Sequence, residues 1–242
     1  MNFKRYIYTG KGNIPVVLSC PHGGFLKPLS IPTRKKGISK PDKNTYFLSK
    51  LILFKLKKEN LNLYYVFSKI HRSKIDFNRP PRTAVAFEKS SKDAAALHSY
   101  YHELILSYAD ECVEKFGKCL FVDLHGFTKP YKEYPDIIFG NLFGKTLNLS
   151  NCSEKPKDYD YWGFYQLKQV LEQHFSLDDG LAIKDQLLAY SGGYITYRFL
   201  NKRLTNALQL EIAKEVRTDF SLLNLFANSF CRAIHLILEE CK

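Results

Sequence analysis

Two histidines stand where predicted strands end. His22 follows the apolar run IPVVL within SCPHGG, and His125 closes the stretch VDLH before a glycine. In open α/β sheets, ligands bind beyond the carboxyl ends of the strands, so two imidazoles placed there can converge on a metal ion. The glycines that follow would leave room for the ion, water and substrate. For either histidine taken alone, a packed or surface side chain is the alternative.

Two acidic residues could complete such a site. A catalytic zinc ion needs a third protein ligand, and Asp42 lies at the start of the first predicted helix. It could equally be the N-cap of that helix. Glu211 lies within ALQLEI, a predicted strand. Because a buried carboxylate is costly unless it is paired, Glu211 is either a general base with a raised pKa or the partner of a structural cation such as Arg217.

The segment HRSKIDFNRPPR, residues 71–82, carries two arginines seven residues apart. Arg72 and Arg79 could form a fork for a carboxylate, because a guanidinium presents paired donors that match two oxygens. Asn78 belongs to the polar turn around which they lie, and Asp76 could orient one guanidinium. A solvated charged loop is the alternative.

Two further motifs give weaker signals. His98 and His102 are spaced i, i+4 on a predicted helix, but without the HExxH order of metalloproteases. They flank an apolar stripe, which predicts a place at the surface or at the rim of a pocket. Gly192 and Gly193 open SGGYITYRF, which we interpret as an aromatic strand or loop. A glycine pair is compatible with any tight turn.

Short apolar strands alternate with helical stretches along the chain, which predicts an α/β fold with helices on both faces of a sheet. The predicted strands are residues 14–19, 63–70, 119–125, 136–140 and 206–212. The predicted helices are residues 42–59, 92–116, 161–174 and 219–240. The loops 24–41, 77–85 and 151–160 are marked by proline, glycine and polar clusters.

The composition is that of a globular protein. A chain of 242 residues with 45% hydrophobic side chains predicts one domain over residues 1–242. We find neither a membrane-spanning run nor a signal peptide, so we expect a cytoplasmic protein. Six cysteines without CxxC spacing predict reduced thiols. The net charge of +12 falls in short lysine clusters and decides little, but no basic-aromatic module of known type is present, which argues against nucleic-acid binding as the main function.

Taken in chain order, six segments resemble one known family. They are PVVLSCPHGG, IPTRKKG followed by DKNTYFLSKL, HRSKIDFNRP, VDLHGF, SGGYIT, and ALQLEI with Arg217 downstream. Together they resemble the N-formylglutamate amidohydrolase family, which is related in fold to zinc carboxypeptidases, aspartoacylase and zinc-dependent cell-wall amidases. The resemblance covers residues 6–217 and implies a three-layer α/β/α fold with a central mixed, mostly parallel sheet.

The resemblance also implies roles for individual residues. One zinc ion would be held by His22, Asp42 and His125, and Glu211 would be the general base. Arg72 would polarise the scissile carbonyl. The substrate would be held by the following residues: Asn78, Arg79, Gly192, Gly193 and Arg217.

The implied activity is hydrolysis of a small N-acyl amino acid such as N-formyl-L-glutamate, giving formate and glutamate. The implied partner is a small acidic molecule, with no nucleic acid and no membrane; the oligomeric state is left open. One alternative is a zinc hydrolase of the same fold that acts on another N-acyl amino acid or on a peptide, with loops 24–41 and 151–160 setting the choice. Another is a non-catalytic basic binding protein on this scaffold.

Overall fold

The structure, a computed structural model, describes residues 2–149 and 161–239. Over these residues a sheet of seven strands forms the centre of the molecule. The strands are β1 (Ile7–Gly10), β2 (Val16–Cys20), β3 (Tyr64–Ser68), β4 (Cys119–Phe127), β5 (Ile137–Gly140), β6 (Leu177–Asp178) and β7 (Thr205–Ala213). The α-helices are α1 (Thr45–Lys57), α2 (Lys92–Phe116), α3 (Phe164–Leu171), α4 (Tyr194–Tyr197), α5 (Lys214–Thr218) and α6 (Phe220–Glu239).

The sheet is mixed and mostly parallel, as predicted. The strand order is β1-β3-β2-β4-β7-β5-β6. The four strands β3, β2, β4 and β7 run parallel to one another, whereas β1 and β5 are antiparallel to their neighbours β3 and β7. The carboxyl ends of β2, β4 and β7 therefore meet at one edge of the sheet, which is where loops converge in open α/β folds.

Helices cover both faces of the sheet, so the three-layer α/β/α prediction is confirmed. Side chains of a strand alternate between the two faces. In β4, Phe121 belongs to the core shared with α2, whereas Leu120 and Val122 belong to the core shared with α1, α3 and α6. We call these the α2 face and the α1 face of the sheet.

Helix α6 is long and apolar enough to span a membrane by length and composition alone. It packs against α1, α3 and α5, and Phe226, Phe230 and Ile234 on its inner side are buried. These contacts are those of a core helix in the outer layer of an α/β domain, and they explain its apolar composition.

The local predictions fail where short elements are concerned. Strands β1 and β6 and helices α4 and α5 were not predicted, and the interpretation of SGGYITYRF as a strand or loop is wrong, because α4 begins at Tyr194. The N-cap of α1 is Asn44, with a left-handed φ of 67°, and not Asp42. Loop 151–160 lies outside the described residues.

Candidate metal centre

Three predicted ligands meet at the carboxyl edge of the sheet. His22 lies two residues beyond β2, His125 lies within β4, and Asp42 precedes α1. One ligand atom from each lies within 4.8 Å of the other two. The Asp42 Oδ2 atom is 3.4 Å from His22 Nδ1 and 3.5 Å from His125 Nδ1. All three side chains are buried.

Each histidine also contacts a second carboxylate through its other ring nitrogen. Asp76 Oδ1 lies 2.7 Å from His22 Nε2, and Asp123 Oδ2 lies 2.7 Å from His125 Nε2. Because a carboxylate accepts, each Nε2 carries a proton, and Nδ1, which faces Asp42, is the nitrogen that each ring can offer to a metal ion. His22 Nδ1 is buried without a hydrogen-bond partner among the described residues. Three acceptors that face one another fit a cation, and a carboxylate behind each histidine is typical of metal ligands.

The charges at this centre favour a cation as well. Burial alone would lower the pKa of His125, but the Asp123 carboxylate, with Asp42, outweighs burial and raises that pKa to about 10. Burial alone would raise the pKa of Asp42, but its contacts with His125 and His22 hold it well below its usual range. The carboxylates therefore concentrate negative charge at this centre, which favours a cation.

Asp123 belongs to the centre, although no site residue was predicted there from the sequence. It lies two residues before His125 in β4, so both side chains point to the α2 face. Ser19 donates a hydrogen bond to Asp123, and the Ser19 hydroxyl is 2.9 Å from that of Tyr101 in α2. The available signal was the D-x-H spacing within a predicted strand, which places an acid beside a histidine.

Glu211 lies next to the three ligands on β7. In the register of the two parallel strands, Glu211 pairs with His125. Only 6% of the residue is exposed, and burial raises the pKa of its carboxyl group. Its Oε1 accepts a hydrogen bond of 2.8 Å from Gln209, while its Oε2 is buried without a partner among the described residues. A carboxylate with one free oxygen and a raised pKa can act as a general base.

Arg72 also lies at the centre, where it bridges two carboxylates. Its Nε donates to Asp76 at 3.0 Å and its Nη1 to Asp42 at 3.2 Å. Arg34, for which the sequence predicted no role in the site, is buried behind it and donates to the backbone carbonyl of Arg72. Arg34 also binds the carbonyls of Lys36, Ile38 and Val85, and so fixes part of loop 24–41 against the site.

Asn78 and Arg79 differ in their surroundings, although they are neighbours. The Asn78 side chain is buried and bonded to Gln209 and to the backbone N–H of Ile195. The Arg79 side chain is partly exposed and makes no hydrogen bond or ion pair with residues 2–149 and 161–239. Of the two, Arg79 has its donors available for a carboxylate.

The glycine pair and Arg217 lie within the framework of the site. A Cβ atom on Gly193 would lie 2.1 Å from Asn78 Nδ2, so the absence of a side chain lets this loop close on Asn78. Gly192 has a left-handed φ of 138°. Arg217 is buried, and its guanidinium donates to three backbone carbonyls, those of Lys43, Phe127 and Ile212. The substrate roles of these three residues stay predictions.

Two expectations about local space need correction. Gly23 does not leave room for a ligand, because a Cβ there would lie 2.4 Å from the backbone N of Tyr46 in α1. Gly24 packs in the same way on the Ile70 carbonyl. His98 and His102 are not at the surface but buried, and both line a cavity of about 310 Å³. Only the pocket-rim half of that prediction is confirmed.

No protein-family model and no curated protein matches the chain. Solved structures do. The N-formylglutamate amidohydrolase from Ralstonia eutropha JMP134 gives a TM-score of 0.64 at 14% identity, covering 97% of this chain and 98% of that one. The chain shares the fold of this amidohydrolase. A gene product from Agrobacterium tumefaciens gives a TM-score of 0.65 at 15% identity over 98% of this chain and 95% of that one. The resemblance predicted from six short motifs is therefore confirmed as a likeness of fold.

Proposed function

We propose that this protein is a zinc-dependent amidohydrolase that cleaves the amide bond of a small N-acylated acidic amino acid, with N-formyl-L-glutamate as the first candidate. One observation carries the proposal: the buried acceptors of His22, Asp42 and His125 face one another beside the free oxygen of Glu211. The shared fold with N-formylglutamate amidohydrolase supports it. We expect a soluble enzyme that works in the cytoplasm on a small acidic molecule.

The residues of the centre divide the work of hydrolysis among them. A zinc ion bound by the three ligands would lower the pKa of a water ligand towards neutrality and polarise a carbonyl oxygen. Glu211 takes a proton from the attacking water at Oε2 and returns it to the leaving nitrogen. Arg72 stabilises the developing oxyanion through Nη2, since its Nε and Nη1 are already bonded to carboxylates.

Arg79 supports the choice of an acidic substrate. Its guanidinium is partly exposed and free of protein partners in the described residues, although the same segment carries the buried Asp76 and Asn78. A guanidinium can bind a carboxylate through two parallel hydrogen bonds. We therefore assign Arg79 to binding of the substrate carboxylate. The N-acyl group would then lie next to Arg72 and Glu211.

The decisive experiment combines metal analysis with a substrate survey. The purified protein should contain about one equivalent of zinc and release formate from N-formyl-L-glutamate, and a chelator should abolish that release. Faster cleavage of N-acetyl amino acids or peptides would replace the substrate but keep the activity. Absence of zinc together with no hydrolysis of any of these amides would contradict the proposal and favour a non-catalytic binding protein.

A further inference from the structure

Two buried side-chain amides, those of Asn78 and Gln209, form a hydrogen-bonded chain that ends at the carboxylate of Glu211. From it we infer that Asn78 and Gln209 are positioning residues that select which oxygen of Glu211 acts as the base. The inference rests on the proposed function, and it gives Asn78 a task other than binding the substrate. Both residues are at least 95% buried and neither belongs to the predicted metal ligands.

The orientation of the Gln209 amide is fixed by a backbone donor. Its Oε1 accepts a hydrogen bond of 2.9 Å from the backbone N–H of Gly193, and a backbone N–H can only donate. The same oxygen accepts from Asn78 Nδ2 at 3.0 Å. The Gln209 amide therefore cannot be turned over, and its Nε2 must point along β7 towards Glu211.

The fixed amide of Gln209 makes the two carboxylate oxygens of Glu211 different, because it bonds only one of them. Gln209 Nε2 donates to Glu211 Oε1 at 2.8 Å, whereas Oε2 has no partner among the described residues. Gln209 and Glu211 are two residues apart on β7 and face the same side of the sheet. Because one oxygen is tied and the other is free, the carboxylate presents Oε2 in a single orientation.

Hydrogen bonds also fix the orientation of the Asn78 amide and the position of its backbone. Its Oδ1 accepts from the backbone N–H of Ile195 at 2.9 Å, which fixes its amide as firmly as that of Gln209. The backbone on either side is tied to α2, since His102 Nε2 lies 2.9 Å from the Phe77 carbonyl and His98 Nε2 lies 3.0 Å from the Arg79 carbonyl. Carbonyls only accept, so both histidines donate and clamp the segment that carries Asn78.

A kinetic double-mutant cycle tests the chain of amides. Gln209→Met removes the donor to Glu211 at similar volume, and Asn78→Ala removes the donor that helps to fix Gln209. We expect each variant to lower kcat by about 10- to 100-fold with KM within about twofold, since a misplaced catalytic group costs on this scale. The double variant should lose no more than the worse single variant, because both changes break one chain.

Two controls separate positioning from general damage. Asn148→Ala removes an asparagine that bonds the carbonyls of Phe199 and Leu200 away from the base, and it should leave kcat unchanged. His102→Gln keeps a donor near the place of Nε2 and should retain most of the activity, whereas His102→Leu should not. A rise in KM for Asn78→Ala, or losses in kcat that multiply in the double variant, would overturn the inference.

A second measurement keeps the inference testable if no amide substrate is found. The same four proteins are compared by thermal unfolding, which needs no activity. The double variant should melt close to the less stable single variant, because the two side chains act as one unit. Melting losses that add up would contradict the link between Asn78 and Gln209, whereas failure of the wild type to hydrolyse any amide would contradict only the proposed function.

Discussion

Each imidazole of the candidate metal centre is hydrogen-bonded to a carboxylate through one nitrogen and faces Asp42 with the other. Asp76 and Asp123 decide which nitrogen is which, since they accept from the Nε2 atoms of His22 and His125. The nitrogen that each histidine would offer to a metal ion is thus set by a residue outside the three predicted ligands. We therefore expect metal affinity to depend on these outer carboxylates as well as on the ligands.

Replacing one outer carboxylate should weaken zinc binding without removing a ligand. For Asp123→Asn we expect a loss of about 10- to 100-fold in zinc affinity, because the amide no longer holds the Nε2–H of His125 as strongly. Competition with a chromophoric chelator measures the affinity. Asp185→Asn, an exposed acid, is the control. Equal zinc affinity of Asp123→Asn and the wild type would remove Asp123 from the centre.

Glu211→Gln should separate zinc binding from catalysis. The variant keeps the shape of the side chain but cannot take a proton, so kcat should fall by about 10²- to 10⁴-fold while zinc content stays at that of the wild type. Metal analysis and formate release on the same sample measure both quantities. A variant that keeps both zinc and full activity would show that another group is the base.

Arg79→Lys should affect substrate binding more than turnover. A lysine keeps the charge but offers a point donor in place of the two-pronged guanidinium. We expect KM for N-formyl-L-glutamate to rise about tenfold with kcat changed by less than threefold. Arg82→Lys, at an exposed position three residues along, is the matched control. An unchanged KM in Arg79→Lys would exclude a contact between this residue and the substrate.

At the scale of elements, β4 and β7 contribute two short patterns to the site. D-x-H in β4 lies beside Q-x-E in β7, with Asp123 paired to Gln209 and His125 to Glu211. All four side chains point to the α2 face, where the loop before α4 closes over them. That loop can approach only because Gly193 has no side chain.

Gly193→Ala should disturb the site through this loop. The new Cβ would lie 2.1 Å from Asn78 Nδ2, and both groups are held by hydrogen bonds that leave little room to move. We expect a clear fall in the melting temperature and a loss of kcat of at least tenfold. Ser191→Ala, two residues earlier in the same loop, should change neither. Wild-type kcat and melting temperature in Gly193→Ala would show that the loop yields without consequence.

The sequence predicts the long elements and the ends of the central strands, because apolar runs that stop at a polar residue mark them clearly. It does not predict α4, a single turn whose residues also suit a strand. The role of Arg34 was missed for another reason. Its partners are the backbone carbonyls of residues 36, 38, 72 and 85. A sequence pattern of side chains does not predict such hydrogen bonds, because only the folded chain brings these carbonyls together.

Asp123 and Gln209 belong to a different category, since the signal for them was present. Each precedes a predicted site residue by two positions in a strand, and alternation places such pairs on one face. Asp42 was a candidate both for a metal ligand and for the N-cap of the first helix; the resemblance favoured the ligand, and the N-cap in the structure is Asn44. Local rules of helix capping could not decide this, because Asp42 accepts a hydrogen bond from the N–H of Gly126, which lies 84 residues along the chain.

The whole molecule combines a basic surface with an acidic interior at the site. The chain has 36 Lys and Arg against 24 Asp and Glu. Yet four buried or nearly buried carboxylates meet around the metal centre, those of Asp42, Asp76, Asp123 and Glu211. A positive surface would attract the anionic substrate that we propose, and the buried carboxylates would hold the proposed cation.

Stability of the whole chain should fall on acidification between about pH 6.5 and 4. Burial lowers the pKa of His98 to about 4 and that of His102 to about 3, from an ordinary value of 6.5. In this pH range the unfolded chain therefore binds more protons at these histidines than the folded chain does. The free energy of unfolding decreases as the pH falls, by on the order of 3 kcal/mol for each histidine. Among the charged groups around His98, Asp76 opposes this shift while Arg198 and Lys89 reinforce it.

Urea unfolding of the zinc-free protein at pH 7 and pH 5 measures this effect. The double replacement of His98 and His102 by Gln removes both titrating groups and keeps a donor near each clamped carbonyl. Its stability should change less between the two pH values than that of the wild type, and the difference between the two proteins isolates the histidines from the rest of the molecule. Identical pH dependence of both proteins would exclude them as its source.

The pairing of β4 with β7 restricts how this protein can change in descent or in engineering. One residue inserted into β4 before Asp123 would turn Asp123 and His125 to the α1 face, among Leu120 and Val122, and would separate them from Gln209 and Glu211 at once. A change of length in either strand therefore disrupts the site, whereas insertions and deletions in the loops leave the register of β4 and β7 intact.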